Sequence, residues 1–252
     1  MTSIDNANSE SLEQLAPELA IHETPANTGS QQTSLVDSIE FAENQEPRCP
    51  CVLLLDTSGS MAGKPIAALN EGLKAFKTDI LEDPVAPKRV EVAVVAFDTT
   101  VRLVQDFVTP DRFDPPLLTA QGVTHMGAAI NTALDLVQAR KERYREAGIP
   151  YYRPWVMMIT DGDPQGELFT FVEDASKRVR REVNRDRLVF FTVAAPGADV
   201  TQIMRMGFPK PVKLDGLKFS ELFVWLSRSM QAVTSDAPGG KFSFLPTRWA
   251  KK

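Results

Sequence analysis

The chain has 252 residues, of which 43% are hydrophobic and 24% charged, as in ordinary soluble globular proteins. Its two cysteines, Cys49 and Cys51, are too few for a disulfide-stabilised secreted scaffold. The N-terminus lacks the basic start and apolar run of a signal peptide, and the apolar stretches are shorter than the roughly 20 residues of a membrane helix. We therefore predict a cytoplasmic protein with no membrane partner.

Charge divides the chain into an acidic N-terminal part and a mildly basic remainder. Residues 1–47 contain nine acidic residues and no lysine or arginine, so the rest carries 28 basic against 24 acidic side chains. Because the N-terminal part is polar and lacks apolar periodicity, we predict a mostly disordered tail. We expect a folded domain over residues 48–235 and an irregular C-terminal tail over residues 236–252. The small basic excess of the body argues against a nucleic-acid partner.

The first half of the predicted domain contains strands, a helix and a hairpin. Residues 51–55 form an apolar run that ends at Asp56, which predicts a buried strand. A helix is expected from Pro65 onward, since apolar residues recur there every three or four positions: Ile66, Leu69, Leu73, Phe76 and Ile80. Val90–Phe97 and residues 101–107 are β-branched runs joined by a short link, which predicts a hairpin and an antiparallel edge strand.

The second half alternates helices and strands more regularly. Periodicity predicts helices over residues 130–144, 168–183, 200–206 and 219–233, and strands over Trp155–Thr160, 188–194 and 212–214. Strands that alternate with helices form parallel β-α-β units. We therefore predict an α/β fold, a doubly wound and mostly parallel sheet with one antiparallel edge strand and helices on both faces. Ligands of such sheets bind at the carboxyl ends of the strands.

Hydroxyl and carboxylate side chains occur in three loops at those predicted strand ends. The loop after the first strand carries Asp56, Ser58 and Ser60. Thr124 precedes a predicted helix, and Asp161 follows a strand within Thr-Asp-Gly. Hard oxygen ligands of this kind suit Mg²⁺, with Mn²⁺ or Ca²⁺ as alternatives, because Mg²⁺ prefers oxygen and keeps waters where carboxylates are few. The three loops therefore predict one cation site.

The pattern Asp-x-Ser-x-Ser, then a threonine, then Thr-Asp-Gly resembles the metal-ion-dependent adhesion site of von Willebrand A domains. The resemblance extends over residues 48–235. It implies a metal site made of Asp56, Ser58, Ser60, Thr124 and Asp161, in which the hydroxyls coordinate directly and one or both aspartates act through water. It also implies a protein-binding module whose last coordination position is filled by a Glu or Asp of a protein partner.

Longer segments resemble the bacterial stand-alone A domains of the TerY/YegL-like group, some of which are encoded beside tellurite-resistance and stress genes. These segments are residues 48–61, 88–92, 105–108 and 151–155. The closer resemblance implies a role in stress response, tellurite resistance or phosphorylation-linked signalling.

Other interpretations of the same loops have less support. The segment from Gly59 to Pro65 is similar to a phosphate loop, but its glycines are too close together and Pro65 replaces the hydroxyl that such a loop needs. A metal-assisted phosphoester hydrolase using the same five residues is the alternative function. We favour a non-enzymatic module because the chain has no Gly-x-Ser-x-Gly elbow and His125 is the single histidine of its body. Asp163 is a further acid of the site, a solvated loop acid or a helix cap.

Overall fold

The computed structural model describes residues 41–162, 164–208, 211–239 and 245–251. One sheet contains the strands β1 Cys49–Asp56, β2 Val90–Phe97, β3 Val101–Val108, β4 Trp155–Thr160, β5 Val189–Ala194 and β6 Val212–Lys213. The helices are α1 Lys64–Leu81, α2 Ala86–Arg89, α3 Met126–Glu146, α4 Phe169–Asn184, α5 Val200–Arg205 and α6 Phe219–Thr234. Within the described part of the chain, no helix has the length and apolar character to cross a membrane.

The strands are arranged in the order β3-β2-β1-β4-β5-β6. Every neighbouring pair is parallel except β2 and β3, which pair antiparallel at the edge. The predicted α/β fold and its antiparallel edge strand are therefore confirmed. Because β1 lies between β2 and β4, the strand order reverses beside β1, and the loops that follow β1 and β4 diverge there. Such a switch point leaves a crevice at the carboxyl ends of the strands.

Both faces of the sheet are buried, because residues along a strand alternate between two cores. Leu53 and Leu55 of β1 belong to the core that α1 and α6 close. Val52 and Leu54 belong to the opposite core, which α3, α4 and α5 close. The apolar face predicted for α1 packs into the first core, with its phenylalanine and leucines fully buried. The sheet is thus a rigid middle layer that holds its loops in fixed positions.

A buried ion network joins the amino ends of β1 and β2. The Glu91 carboxylate accepts hydrogen bonds from Arg48 Nε at 2.9 Å and from Arg140 Nε at 2.7 Å. It also accepts one from the Tyr144 hydroxyl. Phe41 lies over both guanidinium groups, with its ring centroid 5.6 Å from Arg48 Cζ and 5.0 Å from Arg140 Cζ. Burial of these charges is tolerable because each is paired and hydrogen-bonded.

Chain segments outside the predicted domain boundaries also pack against the sheet layer. Phe41 is only 5% exposed, and Trp249 is 1% exposed within the core of α1 and α6. Leu214 and Ala250 form an isolated antiparallel bridge. Contacts of the folded part therefore extend beyond both predicted boundaries. The full extent of the two tails stays a prediction, and residues 1–40 lie outside the described residues.

Replacing Glu91 by Gln should lower the free energy of unfolding by about 3–5 kcal/mol, because two buried guanidinium groups lose their counter-charge. Chemical denaturation measures the loss. Glu71→Gln is the matched control, since Glu71 pairs with Lys74 at 2.8 Å on the surface with both side chains more than half exposed. That control should change stability by less than about 1 kcal/mol. A Glu91→Gln variant as stable as the control would contradict the importance of the network.

Candidate metal site

The carboxyl end of β1 provides the first acid of the site. Asp56 is the last residue of β1 and is fully buried. Its Oδ1 accepts a hydrogen bond from the Ser58 backbone N–H at 2.8 Å, and its Oδ2 accepts one from the Thr160 hydroxyl at 2.6 Å. The register that pairs Leu55 with Ile159 sets Asp56 beside Thr160. The orientation of this carboxylate is therefore fixed by the neighbouring strand.

Oxygen atoms of the other predicted residues converge at the same edge of the sheet. Ser58 Oγ and Ser60 Oγ are 3.0 Å apart, and Ser60 Oγ donates to Asp161 Oδ1 at 2.7 Å. Thr124 reaches the same place, because a β-carbon built on Gly162 would lie 3.9 Å from both Thr124 Oγ1 and Ser60 Oγ. The structure thus brings all five predicted site residues together from three separate loops.

Backbone hydrogen bonds join these three loops into one surface. The Gly59 N–H donates to the Gly122 carbonyl at 3.0 Å, which links the first loop to the second. The Gln165 N–H donates to the Thr124 carbonyl at 3.0 Å, which links the third loop to the second. Gly59 suits its position because a β-carbon there would lie only 3.3 Å from the Gly122 oxygen. The hydroxyls are therefore held in place by the backbone before any ligand binds.

The pKa values of the two site aspartates, Asp56 and Asp161, are set by burial of carboxylates that have no basic partner among the described residues. Burial raises the pKa of Asp56 to about 6, although hydrogen bonds from Ser58 and Thr160 work in the opposite direction. Burial also raises the pKa of Asp161, against the hydrogen bond from Ser60. No lysine, arginine or histidine among the described residues forms an ion pair with either carboxylate. A cation bound beside them would supply the missing counter-charge.

A third acid at this edge of the sheet, Asp98, is neutralised by the protein itself. Its two carboxylate oxygens accept hydrogen bonds from Arg102 at 3.0 and 2.7 Å. Burial opposes ionisation of Asp98, but the hydrogen bonds from Arg102 lower its pKa overall. Thr57 Oγ1 donates to Asp98 Oδ2 at 3.0 Å, so this acid anchors the first loop. This role of Asp98 was not predicted, although an aspartate in a hairpin turn commonly accepts nearby N–H groups.

Two more supporting residues were not predicted. The Glu167 carboxylate accepts the Gly127 N–H at 2.6 Å and so caps the first turn of α3, directly after the second loop. Thr160 donates its hydroxyl hydrogen bond to Asp56, and its position within Thr-Asp-Gly was the one feature of the sequence that could have indicated this role. No sequence pattern indicated the role of Glu167, because its contact with Gly127 joins residues far apart in sequence. Asp163, the alternative acid, lies outside the described residues.

The donor set fits a hard divalent cation. Among the described residues, no group of three or more His, Cys, Asp or Glu side chains could hold a metal. The oxygen donors of the candidate site are two carboxylates and three hydroxyls. Such neutral and anionic oxygens match the preference of Mg²⁺ and not that of metals that favour sulfur or imidazole. Ser60 is exposed whereas Ser58 and Thr124 are nearly buried. The site is therefore open to a further ligand on the Ser60 side.

A match to a protein family agrees with the observed fold, and the matched residues include the whole candidate site. The family model described as von Willebrand factor type A domain matches residues 51–214, a range that includes all five candidate residues. No curated protein matches the sequence.

Several solved structures are similar to this chain. The pilus adhesin SpaC from Lactobacillus rhamnosus GG, in an open conformation, has a TM-score of 0.59 and 13% identity, covering 76% of this chain and 31% of its own. The PilB minor pilin from Streptococcus sanguinis has a TM-score of 0.51 and 12% identity, covering 75% and 62%. Proximal thread matrix protein 1 from the mussel byssus, with a zinc-occupied MIDAS motif, has a TM-score of 0.48 and 16% identity, covering 76% and 46%. This chain therefore spans less than a third of SpaC.

The raised pKa of Asp56 gives the metal-free protein a definite response to pH. Its native pKa of about 6 lies above that of an unfolded aspartate, about 3.9, so only the native state binds this proton between the two values. The free energy of unfolding in EDTA should therefore gain at most about 3 kcal/mol from Asp56 as the pH falls from about 7 to about 4. Chemical denaturation of wild type and Asp56→Asn across this range measures the contribution. Identical pH slopes would contradict it.

Proposed function

We propose a divalent-cation-dependent protein-binding function for this chain, which belongs to the von Willebrand factor type A domain family. The observation that carries the proposal is the convergence of three hydroxyls on two buried aspartates that have no basic partner in the described structure. Mg²⁺ is the ion that we assign, and Mn²⁺ and Ca²⁺ are the alternatives.

The five residues have separate roles in this proposal. Ser58, Ser60 and Thr124 would hold the ion through hydroxyl oxygens, and Asp56 and Asp161 would balance its charge directly or through water. When bound, the ion supplies an electrophilic centre for one more oxygen ligand. The protein itself keeps the donors preorganised, because the backbone links between the loops fix them before the ion arrives.

An acidic side chain of a protein partner is the ligand that this arrangement favours. Three of the ligands proposed from this chain are neutral hydroxyls, so the ion keeps affinity for an anionic oxygen. The exposed Ser60 side of the site leaves room for such a group to approach. Since binding would need both ion and carboxylate, removal of the metal should release the partner.

The cellular setting rests on the resemblance of four sequence segments to TerY/YegL-like domains. On that basis we place the binding function in the cytoplasm, in a bacterial stress-response, tellurite-resistance or phosphorylation-linked system. The proposal assigns no catalytic residue. His125, the one histidine of the body, forms no described side-chain hydrogen bond to the five site residues, so no observation favours the hydrolase alternative.

Millimolar Mg²⁺ should raise the unfolding midpoint of the wild type relative to EDTA, because a ligand that binds only the native state stabilises it by about 2.7 kcal/mol at a hundred times its Kd. Thermal unfolding followed by circular dichroism measures the shift. Asp56→Ala and Asp161→Ala should lose it. Asp174→Ala is the matched control, since Asp174 is an exposed acid of α4 that pairs with Lys177 at 2.8 Å, and it should keep the response. A response that survives Asp56→Ala would sink the site assignment.

Selection of a random peptide library on the immobilised full chain in Mg²⁺, with elution by EDTA, should enrich peptides that contain Asp or Glu. The reason is that a carboxylate is the ligand expected to complete the coordination of the ion. Asp56→Ala should yield no EDTA-eluted enrichment, and Asp174→Ala should behave as the wild type does. Enriched peptides without an acidic residue would contradict the proposed partner chemistry.

A further inference from the structure

A cluster of basic side chains lines a cleft between α3 and α4, at the end of the sheet opposite the candidate metal site. Lys141 lies in the C-terminal part of α3, Arg181 in the last turn of α4, and Arg187 just before β5. All three line one cavity of about 140 Å³, together with the apolar residues Leu134 and Leu188. We call this cavity the basic cleft. It lies at the amino ends of the strands, whereas the metal site lies at their carboxyl ends.

Lys141 and Arg187 also both line a second cavity, of about 300 Å³. The two cavities therefore share these two basic residues. Lys141 is only 7% exposed, and its side chain forms no hydrogen bond or ion pair with any described residue. Its ammonium nitrogen is not fully buried, so this atom faces open space, and Lys141 lines both cavities. A lysine is rarely buried to this degree unless it is paired.

The other charged residues that line the two cavities do not neutralise Lys141 and Arg187. Arg178 also lines the basic cleft, but it is bound to Asp135. Arg153 of the second cavity pairs with Asp186 at 3.0 Å. Glu182 is the one carboxylate that lines the basic cleft, and it forms no ion pair among the described residues. Lys141, Arg181 and Arg187 therefore keep an excess of positive charge facing one small space.

The position of these residues near helix ends accounts for their presence but not for their arrangement. Basic residues are favoured in the last turns of helices because they interact with the helix dipole. That effect operates equally on an exposed side chain, such as the neighbouring Arg185, which lines neither cavity. It gives no reason for Lys141 and Arg187 to line the same two cavities, since like charges repel each other.

We propose that the basic cleft binds a phosphate group. Guanidinium and ammonium groups are the usual protein ligands of phosphate, and a dianion would satisfy several cations at once. The cleft is smaller than the roughly 300–1,000 Å³ of sites for drug-sized ligands, so it accommodates one compact oxyanion. The adjoining cavity, lined by Tyr151 and Tyr152, offers space for whatever carries the phosphate. The ligand is therefore either free phosphate or a phosphorylated side chain.

Isothermal titration of the full-length chain with sodium phosphate, and separately with a short phosphoserine peptide and its unphosphorylated form, tests this proposal. EDTA and a chloride buffer of constant ionic strength remove any contribution from the metal site. We expect saturable binding of phosphate, of the phosphopeptide or of both, and none of the unphosphorylated peptide. Binding of the phosphopeptide alone identifies a phosphorylated side chain as the ligand, and binding of free phosphate shows that the phosphate group suffices.

Three variants decide whether the cleft is responsible. Lys141→Met keeps the aliphatic packing and Arg187→Gln keeps a polar side chain, and each should weaken binding at least about tenfold. Arg185→Gln removes an equal charge next to the cleft and should bind as the wild type does. Because Arg187 is exposed, its variant remains informative even if Lys141→Met fails to fold. The proposal is overturned if nothing binds saturably, or if Arg185→Gln loses as much affinity as Arg187→Gln.

Discussion

Two buried aspartates on neighbouring parallel strands, with no basic side chain beside them in the described structure, are the constraint on which the candidate site depends. An ionised carboxylate away from water is unfavourable unless it is paired or hydrogen-bonded. The protein supplies hydrogen bonds from Ser58, Thr160 and Ser60, but burial still raises the pKa of Asp56 to about 6 and also raises that of Asp161. The folded protein therefore contains two carboxylates without a counter-charge in the described structure, and a divalent cation would supply that charge.

Among the described residues, the two other buried acids are both paired with basic side chains. Glu91, at the amino end of β2, binds Arg48 and Arg140, and Asp98, at the carboxyl end of β2, binds Arg102 through both oxygens. These pairs show that basic partners are available where a charge serves the fold alone. Asp56 and Asp161 depart from that pattern at the switch point of the sheet, which is where ligands bind in folds of this kind. The departure is therefore best understood as functional.

Much of the site could be predicted because strand ends are visible in the sequence. Apolar runs that stop at Asp56 and Asp161 predict two strand ends, and parallel pairing requires those ends to meet at one edge. The Arg48–Glu91–Arg140 network could not be predicted, since its members are far apart in sequence and no local pattern marks a long-range pair. Helix α2 was missed because four residues are too few to show periodicity. The start of α3 at Met126, four positions before the predicted start, depends on the cap that Glu167 provides across loops.

The most direct test of the central claim is anomalous diffraction from crystals of the full chain grown with Mn²⁺ in place of Mg²⁺. We expect one strong peak among the hydroxyl oxygens of Ser58, Ser60 and Thr124, from an ion that the carboxylates of Asp56 and Asp161 bind directly or through water. Absence of a peak at that place in well-ordered crystals, or a peak held by other residues while Ser60 still donates to Asp161, would contradict it.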